Sequence, residues 1–169
     1  MAVPSFKILY KQDTIPKADL TIKAIGYQWY WGYEYPDHGG FSFDANMEQI
    51  DDLNDPLRLL KTDNAVVLPA QTKIRVLVTA ADVGHSWALP ATGGKVDGWP
   101  GHINELPIYF EKPGMYYGQC SELCGRFHGF MPIMVKVVTK EEFAAWVEEA
   151  KVQFGAVESD VKVASAPRQ

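Results

Sequence analysis

The sequence predicts a mainly β protein, an antiparallel sandwich or barrel with one helix at its C-terminal end. Short runs rich in β-branched and aromatic residues recur up to residue 138, and each ends at a turn signal. A single clear helical pattern follows these runs. The chain has 169 residues, which is enough for one domain with a sizeable core.

About eight short strands are predicted, in the order of the chain. In residues 72–79, Ile74, Val76 and Val78 alternate with polar residues, so we expect these three side chains to face the core. Turns or loops are expected at residues 37–40, at the acidic residues 46–56 and at the Gly- and Pro-rich residues 91–101. The predicted strands cover residues 20–35, 41–43, 65–68, 72–79, 83–89, 103–110, 115–119 and 133–138.

The C-terminal helix is predicted over residues 139–154. Thr139, with Glu142 three residues later, forms a capping box that marks the start of a helix. Four apolar residues then recur at helical spacing, so we expect the helix to pack on the sandwich by this stripe; they are Phe143, Trp146, Val147 and Ala150. Residues 1–19 are expected to be a linker, and residues 155–169 a flexible tail.

Composition and charge exclude several classes of protein. Hydrophobic residues make up 47% and charged residues 22%, which excludes disorder throughout. The net charge of −5 disfavours a nucleic-acid binder. The longest apolar runs have about six residues, whereas a membrane-spanning helix needs about 20. No secretory signal pattern is found at the start, so we expect a protein made without one or a trimmed piece of a larger protein.

The acidic residues of the chain are concentrated in one segment. Residues 34–63 contain eight acidic residues, opposed by Arg58 and Lys61, so this segment has a net charge of −6. Two interpretations remain open, a solvated loop face or a docking surface for a basic partner, whose encounter such charge would accelerate. The eight acidic residues are Glu34, Asp37, Asp44, Glu48, Asp51, Asp52, Asp55 and Asp63.

Residues 120–131 contain two thiols, an imidazole and a thioether, at Cys120, Cys124, His128 and Met131. This soft ligand set is the one that copper prefers, whereas zinc rarely takes a thioether. His85, at one end of a predicted strand, is a further candidate ligand. A mononuclear blue-copper site uses a single cysteine, so here one cysteine would be left over.

A dinuclear site accounts for both cysteines. If two metals share Cys120 and Cys124, each sulfur bonds to both metals, which gives four bonds. Two His, one Met and a backbone carbonyl, such as that of Glu122, would add four more, so that each metal has four bonds. The alternatives are a small-loop disulfide, whose distance constraint a turn can meet, and a pair of inert buried thiols. Phe130 and Met131 taken alone are typical of a core.

Residues 113–132 resemble the copper-binding signature of cytochrome c oxidase subunit II. Residues 26–31 (GYQWYW), 82–87 (DVGHSW) and 95–101 (KVDGWPG) are similar to other segments of that family, in matching order. The resemblance spans roughly residues 4–150 and implies a cupredoxin-like Greek-key β-barrel over residues 20–138 with a dinuclear copper CuA centre. Residues 4–10 resemble the segment that follows the family's membrane helices, and Met1 and Ala2 resemble an added start.

The resemblance also implies roles for single residues. Copper would be bound by His85, Cys120, the main-chain oxygen of Glu122, Cys124, His128 and Met131, and the Glu122 side chain would reach a magnesium ion at the boundary with subunit I. Trp29 would be where electrons enter; spacing alone favours an aromatic residue of a strand core, and only the resemblance implies this role. Carboxylates for docking the basic cytochrome c would be Glu34, Asp37, Asp44, Asp63 and Asp82.

The implied function is electron transfer from cytochrome c, through CuA, to the haem of subunit I of an aa3-type oxidase. The complex is a proton-translocating oxidoreductase, while the isolated domain only transfers electrons. The implied location is the periplasmic face of the bacterial inner membrane, with the full-length protein membrane-anchored and similar to alphaproteobacterial members. Rival interpretations are a copper carrier or assembly factor, the CuA domain of nitrous oxide reductase, and a copper-free structural subunit.

Three positions depart from the family pattern. Tyr27 replaces a histidine before the GlnTrpTyrTrp segment. Gly84 replaces a larger aliphatic residue beside His85, so we expect looser packing there. His102 replaces an arginine that follows the Pro-Gly pair, which would make a contact with subunit I dependent on pH.

Overall fold

Ten strands in the described part of the chain form two five-stranded sheets. The structure is a computed structural model that describes residues 2–12 and 17–155. The first sheet contains, in spatial order, β3 (Ser42–Ala45), β2 (Tyr30–Glu34), β1 (Leu20–Tyr27), β5 (Ile74–Ala80) and β8 (Asn104–Ile108). The second contains β4 (Val66–Pro69), β10 (Pro132–Val138), β9 (Gly114–Cys120), β6 (His85–Leu89) and β7 (Gly94–Gly98).

The predicted mainly β sandwich with a C-terminal helix is confirmed, but the antiparallel pairing expected of it does not hold for two pairs of strands. β1 pairs in parallel with β5, and β4 pairs in parallel with β10. The chain crosses from one sheet to the other between β3 and β4 and again between β4 and β5. Parallel neighbours require such a crossover, and a strand sequence gives no signal for its partner after a crossover.

Two predicted elements have different boundaries in the structure. The long run at residues 20–35 is divided into β1 and β2, which pair antiparallel around a turn at Gln28 and Trp29. The loop predicted at residues 91–101 contains an additional strand, β7, which pairs with β6. The glycines that suggested a loop stand at the two ends of this strand, Gly94 and Gly98.

The two sheets enclose the core, which α2 (Lys140–Phe154) covers at one end. The alternation predicted for β5 is confirmed, because Ile74, Val76 and Val78 are buried. The capping box at Thr139 is present, with both of its hydrogen bonds. Phe143, Val147 and Ala150 are buried as predicted; Trp146 is half-buried, with its ring centroid 5.2 Å from that of Tyr35.

The N-terminal segment differs from the expected linker. Residues 2–12 form helix α1 (Ala2–Gln12), whose apolar residues are exposed. A proline in the first turn, here Pro4, is compatible with a helix because its missing N–H would have no partner there. No helix in the described ranges is long and apolar enough to cross a membrane. Of the predicted tail, residues 156–169 lie outside the described residues.

Candidate metal centre

The candidate ligands converge at one end of the second sheet. Cys120 is the last residue of β9, and Met131 directly precedes β10. His85 is the first residue of β6, which pairs with β9 so that Trp87 lies opposite Cys120. The loop between Cys120 and Met131 folds back over this end, so hydrogen-bonded strands bring His85 beside a loop that lies 35 residues later.

The donor atoms lie at contact distances. One ring nitrogen of His85 and the Sγ atoms of Cys120 and Cys124 all lie within 4.8 Å of one another. His85 Nδ1 is 3.8 Å from Cys120 Sγ, and His128 Nδ1 is 3.5 Å from Cys124 Sγ. Met131 Sδ is also 3.5 Å from Cys124 Sγ. The structure therefore brings together all the side chains that sequence analysis proposed as copper ligands.

The two sulfurs are not bonded to each other. They lie 3.9 Å apart, whereas a disulfide bond is about 2.05 Å long. Both cysteines are free thiols, and both are buried. The main-chain oxygen of Glu122 lies 3.4 Å from Cys120 Sγ, which adds an oxygen to the same donor set.

The two thiols differ in acidity. Burial opposes ionisation of Cys120, but its contact with His85 and a backbone hydrogen bond from Ser86 hold its pKa below the ordinary value. Burial and the neighbouring Cys120 thiolate raise the pKa of Cys124. One sulfur therefore ionises readily, and its negative charge opposes ionisation of the second. A bound cation would remove that opposition, because metal ligation favours the thiolate.

Asp82 orients His85 from the side opposite Cys120. Its Oδ1 lies 2.9 Å from His85 Nε2, and its two oxygens also accept hydrogen bonds from the backbone N–H groups of Val83 and Gln28. Burial opposes the ionisation of Asp82, but these bonds lower its pKa overall. When His85 donates its Nε2 proton to this carboxylate, Nδ1 is free to bind a metal.

The turn between β1 and β2 makes hydrogen bonds to the loop that carries Cys124. Gln28 Nε2 donates to the Cys124 carbonyl at 2.9 Å, and Trp29 Nε1 donates to the same oxygen at 3.3 Å. The Trp29 ring also contacts Phe127 edge-to-face, with centroids 4.9 Å apart. Trp29 thus touches the main chain of a candidate ligand.

Comparison with known proteins places the chain in a family. A model of the periplasmic domain of cytochrome c oxidase subunit II matches residues 20–138. The chain belongs to the cytochrome c oxidase subunit II family. A probable cytochrome c oxidase subunit 2 of Rickettsia bellii is 54% identical over 148 residues, covering 87% of this chain and 55% of the relative. The chain spans about half the length of the Rickettsia relatives that it matches.

Further similar proteins include an insect relative and two solved structures. Cytochrome c oxidase subunit 2 of Drosophila subobscura is 49% identical, covering 88% of this chain and 66% of the relative. The crystal structure of the periplasmic domain of subunit II of Bradyrhizobium japonicum cytochrome oxidase is 56% identical, with a TM-score of 0.79, covering 83% of this chain and 99% of that one. A mixed disulfide intermediate between a thioredoxin-like protein and subunit II is 55% identical, with a TM-score of 0.72, covering 83% and 96%.

The five carboxylates predicted for docking have different surroundings in the structure. Asp44 and Asp82 both act on the Tyr30 hydroxyl, whose pKa rises through burial and through their negative charges, and Asp63 lies beside Asp44. Tyr30 directly follows Trp29, so this group, which we call the Tyr30 carboxylates (Asp44, Asp63 and Asp82), is close to the proposed electron-accepting residue.

The other two carboxylates have local partners. Glu34 forms an ion pair with Lys23 at 3.5 Å. Asp37 accepts a hydrogen bond from the Thr21 backbone at 2.7 Å. Thr21 is at the start of β1 and Trp29 follows its end, so at about 3.3 Å per residue Asp37 is roughly 20 Å from Trp29. Asp37 therefore lies away from the Tyr30 carboxylates, whereas Glu34 lines the same surface of β2 and β3 as Asp44.

Sequence analysis missed several residues that contact the candidate ligands. Gln28 lies in the aromatic segment and had no predicted role, although it bonds the Cys124 carbonyl. Asp82 was predicted only as a docking residue, although it also bonds His85. The spacing of Asp82 and His85, three residues apart before a strand, was an available signal. No sequence signal predicted that Gly26 packs against the His85 ring, because the two residues belong to different sheets.

Proposed function

We propose that this domain receives electrons from cytochrome c and delivers them to the haem of subunit I of an aa3-type oxidase, with a dinuclear copper centre of the CuA type as its cofactor. The observation that carries the proposal is the pair of unbonded sulfurs, 3.9 Å apart, with imidazole nitrogens on both sides and a thioether on one. A donor set of two thiolates, two imidazoles and a thioether suits copper rather than zinc.

The protein holds these donors with little freedom to move. Cys120, Cys124, Met131 and His85 are at most 5% exposed, and hydrogen bonds from Gln28 and Trp29 fix the loop. A dinuclear copper centre would supply a site that takes up and gives back one electron shared over both metals. Fixed, buried ligands reduce the rearrangement that accompanies such a charge change.

The Tyr30 carboxylates and Trp29 form the proposed docking face for cytochrome c. Negative charge around an aromatic side chain would attract a basic partner and accelerate encounter at low salt. The Trp29 indole then offers a path from this face to the Cys124 main chain, which it contacts through a hydrogen bond. Glu34, which lines the same surface as Asp44, would extend this face, whereas Asp37 at the far end of β1 would contribute less.

The remaining partners of the intact complex are also proposals. The half-buried Glu122 carboxylate would bind a magnesium ion at the boundary with subunit I, as its side-chain oxygens suit a hard cation. Membrane anchoring at the periplasmic face would come from parts of the full-length protein. Oxygen reduction and proton pumping would take place in subunit I.

The strongest rival is a copper carrier that holds metal transiently. Carrier sites are exposed and have few ligands, whereas here four of the five donor side chains are buried. Membership in the subunit II family favours the oxidase over nitrous oxide reductase. The presence of every proposed ligand argues against a copper-free structural subunit.

The deciding experiment is copper titration of the purified, reduced domain. We expect two copper ions per chain, a purple absorption and an EPR signal of one electron shared equally by two copper nuclei, followed by rapid reduction by cytochrome c. A parallel sample with Cys120 and Cys124 oxidised to a disulfide should take up no copper. A mixed disulfide with a thioredoxin-like protein is known for a similar subunit II, which supports such a reduction step before loading. One copper ion or none in the reduced sample would refute the proposal.

The variant Asp44→Asn is expected to weaken docking of cytochrome c without lowering the stability of the fold. Burial and the negative charge of Asp63 raise the pKa of Asp44. The folded state therefore binds the Asp44 proton more tightly than the unfolded state, and the stability of the native protein falls as pH rises from the ordinary pKa to the raised one. The neutral amide removes this loss, so the variant should be at least as stable at neutral pH, although cytochrome c should reduce it several-fold more slowly at low salt and less so at high salt.

The matched control for Asp44→Asn is Glu149→Gln. Glu149 is exposed on α2, which packs beside Tyr35 at the end of β2 that is remote from Trp29. This control loses the same charge and should keep the native rate at both salt concentrations. Equal slowing of the two variants would show that only net charge matters and would contradict a docking face at Asp44.

A further inference from the structure

We propose that Trp99 is a positioning residue for His85, which it holds by covering the backbone of Gly84. This inference rests on the proposed copper function for its metal-loaded measurements, but it concerns a contact of the protein itself. The register of β6 and β7 pairs His85 with Gly98, so the next two residues, Gly84 and Trp99, face each other at the end of the ladder. Trp99 is therefore the cross-strand neighbour of Gly84, the position at which a larger aliphatic residue of the family is missing.

The contact between these residues is close. A methyl group built on Gly84 would lie 2.6 Å from Cζ3 of the Trp99 ring and 2.8 Å from Cη2. The indole therefore occupies the space of a side chain at residue 84, and Gly84 is buried beneath it. The prediction of looser packing beside His85 is therefore wrong, because the Trp99 ring fills the space that Gly84 leaves.

The Trp99 main chain is held at the same time. Its carbonyl accepts hydrogen bonds from the His102 N–H at 3.1 Å and from the Thr79 hydroxyl at 3.4 Å. Pro100, the next residue, forms a parallel bridge with Ala80 of β5. Trp99 is therefore anchored to the first sheet, while its ring packs on the second.

His85 needs such support on its N-terminal side. Glycine has more backbone freedom than any other residue and packs poorly in a strand. A bare Gly84 would leave His85 at the frayed end of β6, yet the His85 ring is fully buried and confined against Gly26 on its other side. A ring laid across a strand glycine restores cross-strand packing. We infer that this contact, with the Asp82 hydrogen bond, sets the direction of Nδ1.

The experiment compares Trp99→Ala with Ile103→Ala. Ile103 is 58% exposed and Trp99 48% exposed, on the same loop, so both variants remove apolar surface from one region. In the metal-free protein, Trp99→Ala should shift and broaden the His85 ring nitrogen signals in NMR spectra, and in the copper-loaded protein it should speed copper release to a chelator about tenfold and change the reduction potential. Ile103→Ala should leave all three readouts at their native values.

Two further variants test whether filled space is the cause. Gly84→Val alone should displace the indole and reproduce the defect, whereas Gly84→Val combined with Trp99→Ala should return the release rate towards the native value. Trp99→Phe, which keeps a ring, should stay close to native, and Gly84→Val provides the test if the alanine variant does not fold. Native His85 signals and native copper release in Trp99→Ala would overturn the inference. Failure of the native protein to bind copper would refute the proposed function, while the metal-free spectra would still test Trp99.

Discussion

Replacement of Cys120 by serine is expected to lower the copper content from two ions per chain to one or none and to abolish the purple absorption. Cys120 lies between His85 Nδ1 and Cys124 Sγ, at 3.8 and 3.9 Å, so its sulfur would bond to both metals. A serine hydroxyl is a harder donor and does not ionise near neutral pH, so it cannot replace a bridging thiolate for copper. Copper analysis, visible absorption and EPR spectra of the loaded variant measure the effect.

Ser121→Ala is the matched control for the Cys120 variant. Ser121 follows Cys120 directly, is exposed, and its hydroxyl contacts the Gln119 carbonyl at 3.5 Å. This control should bind copper as the native protein does. A purple, two-copper Cys120→Ser protein would exclude a sulfur bridge at this position and leave the paired thiols without the role proposed for them.

Gly26→Ala is expected to displace His85 and to weaken both folding and copper binding. A methyl group on Gly26 would lie 2.7 Å from Cδ2 and Cγ of the His85 ring, and the ring, which is fully buried, has little space to move away. Overpacking of this kind costs about 1–3 kcal/mol. We expect a loss of that size in the free energy of unfolding of the metal-free protein, together with incomplete copper loading. Denaturant titration and copper analysis measure the two effects separately.

The control for Gly26→Ala is Gly129→Ala, in the ligand loop. A methyl group on Gly129 would have no neighbour within 4 Å, so this variant adds the same group in open space. It should keep native stability and native copper content. If Gly26→Ala also loads two coppers with native stability, the His85 ring is not confined in the way the structure describes.

Local sequence signals predicted most of the elements. The capping box at Thr139 and the alternation in β5 depend on residues a few positions apart, and both appear in the structure as predicted. The strand inside residues 91–101 was missed because its end glycines resemble loop signals, whereas pairing with β6 makes it a strand. The first helix was missed because its apolar residues have no core to face.

The candidate site was largely visible in the sequence because most of its donors lie in one short loop. Cys120, Cys124, His128 and Met131 fall within twelve residues, and their chemistry alone points to copper. The residues that orient the ligands were not visible. Gln28 reaches the Cys124 carbonyl across 96 positions of the chain, and Trp99 covers Gly84 through a strand pair.

The sequence by itself determined the donor atoms, the local acidity and the alternation that builds two apolar sheet faces, because each depends on residue type at short spacing. Only the tertiary structure decided that Asp82 supports His85, that the Tyr30 carboxylates lie near Trp29 while Asp37 does not, and that an indole replaces the side chain that Gly84 lacks. These contacts join residues from different strands and sheets. Their formation depends on register and crossover connections, which no short stretch of sequence encodes.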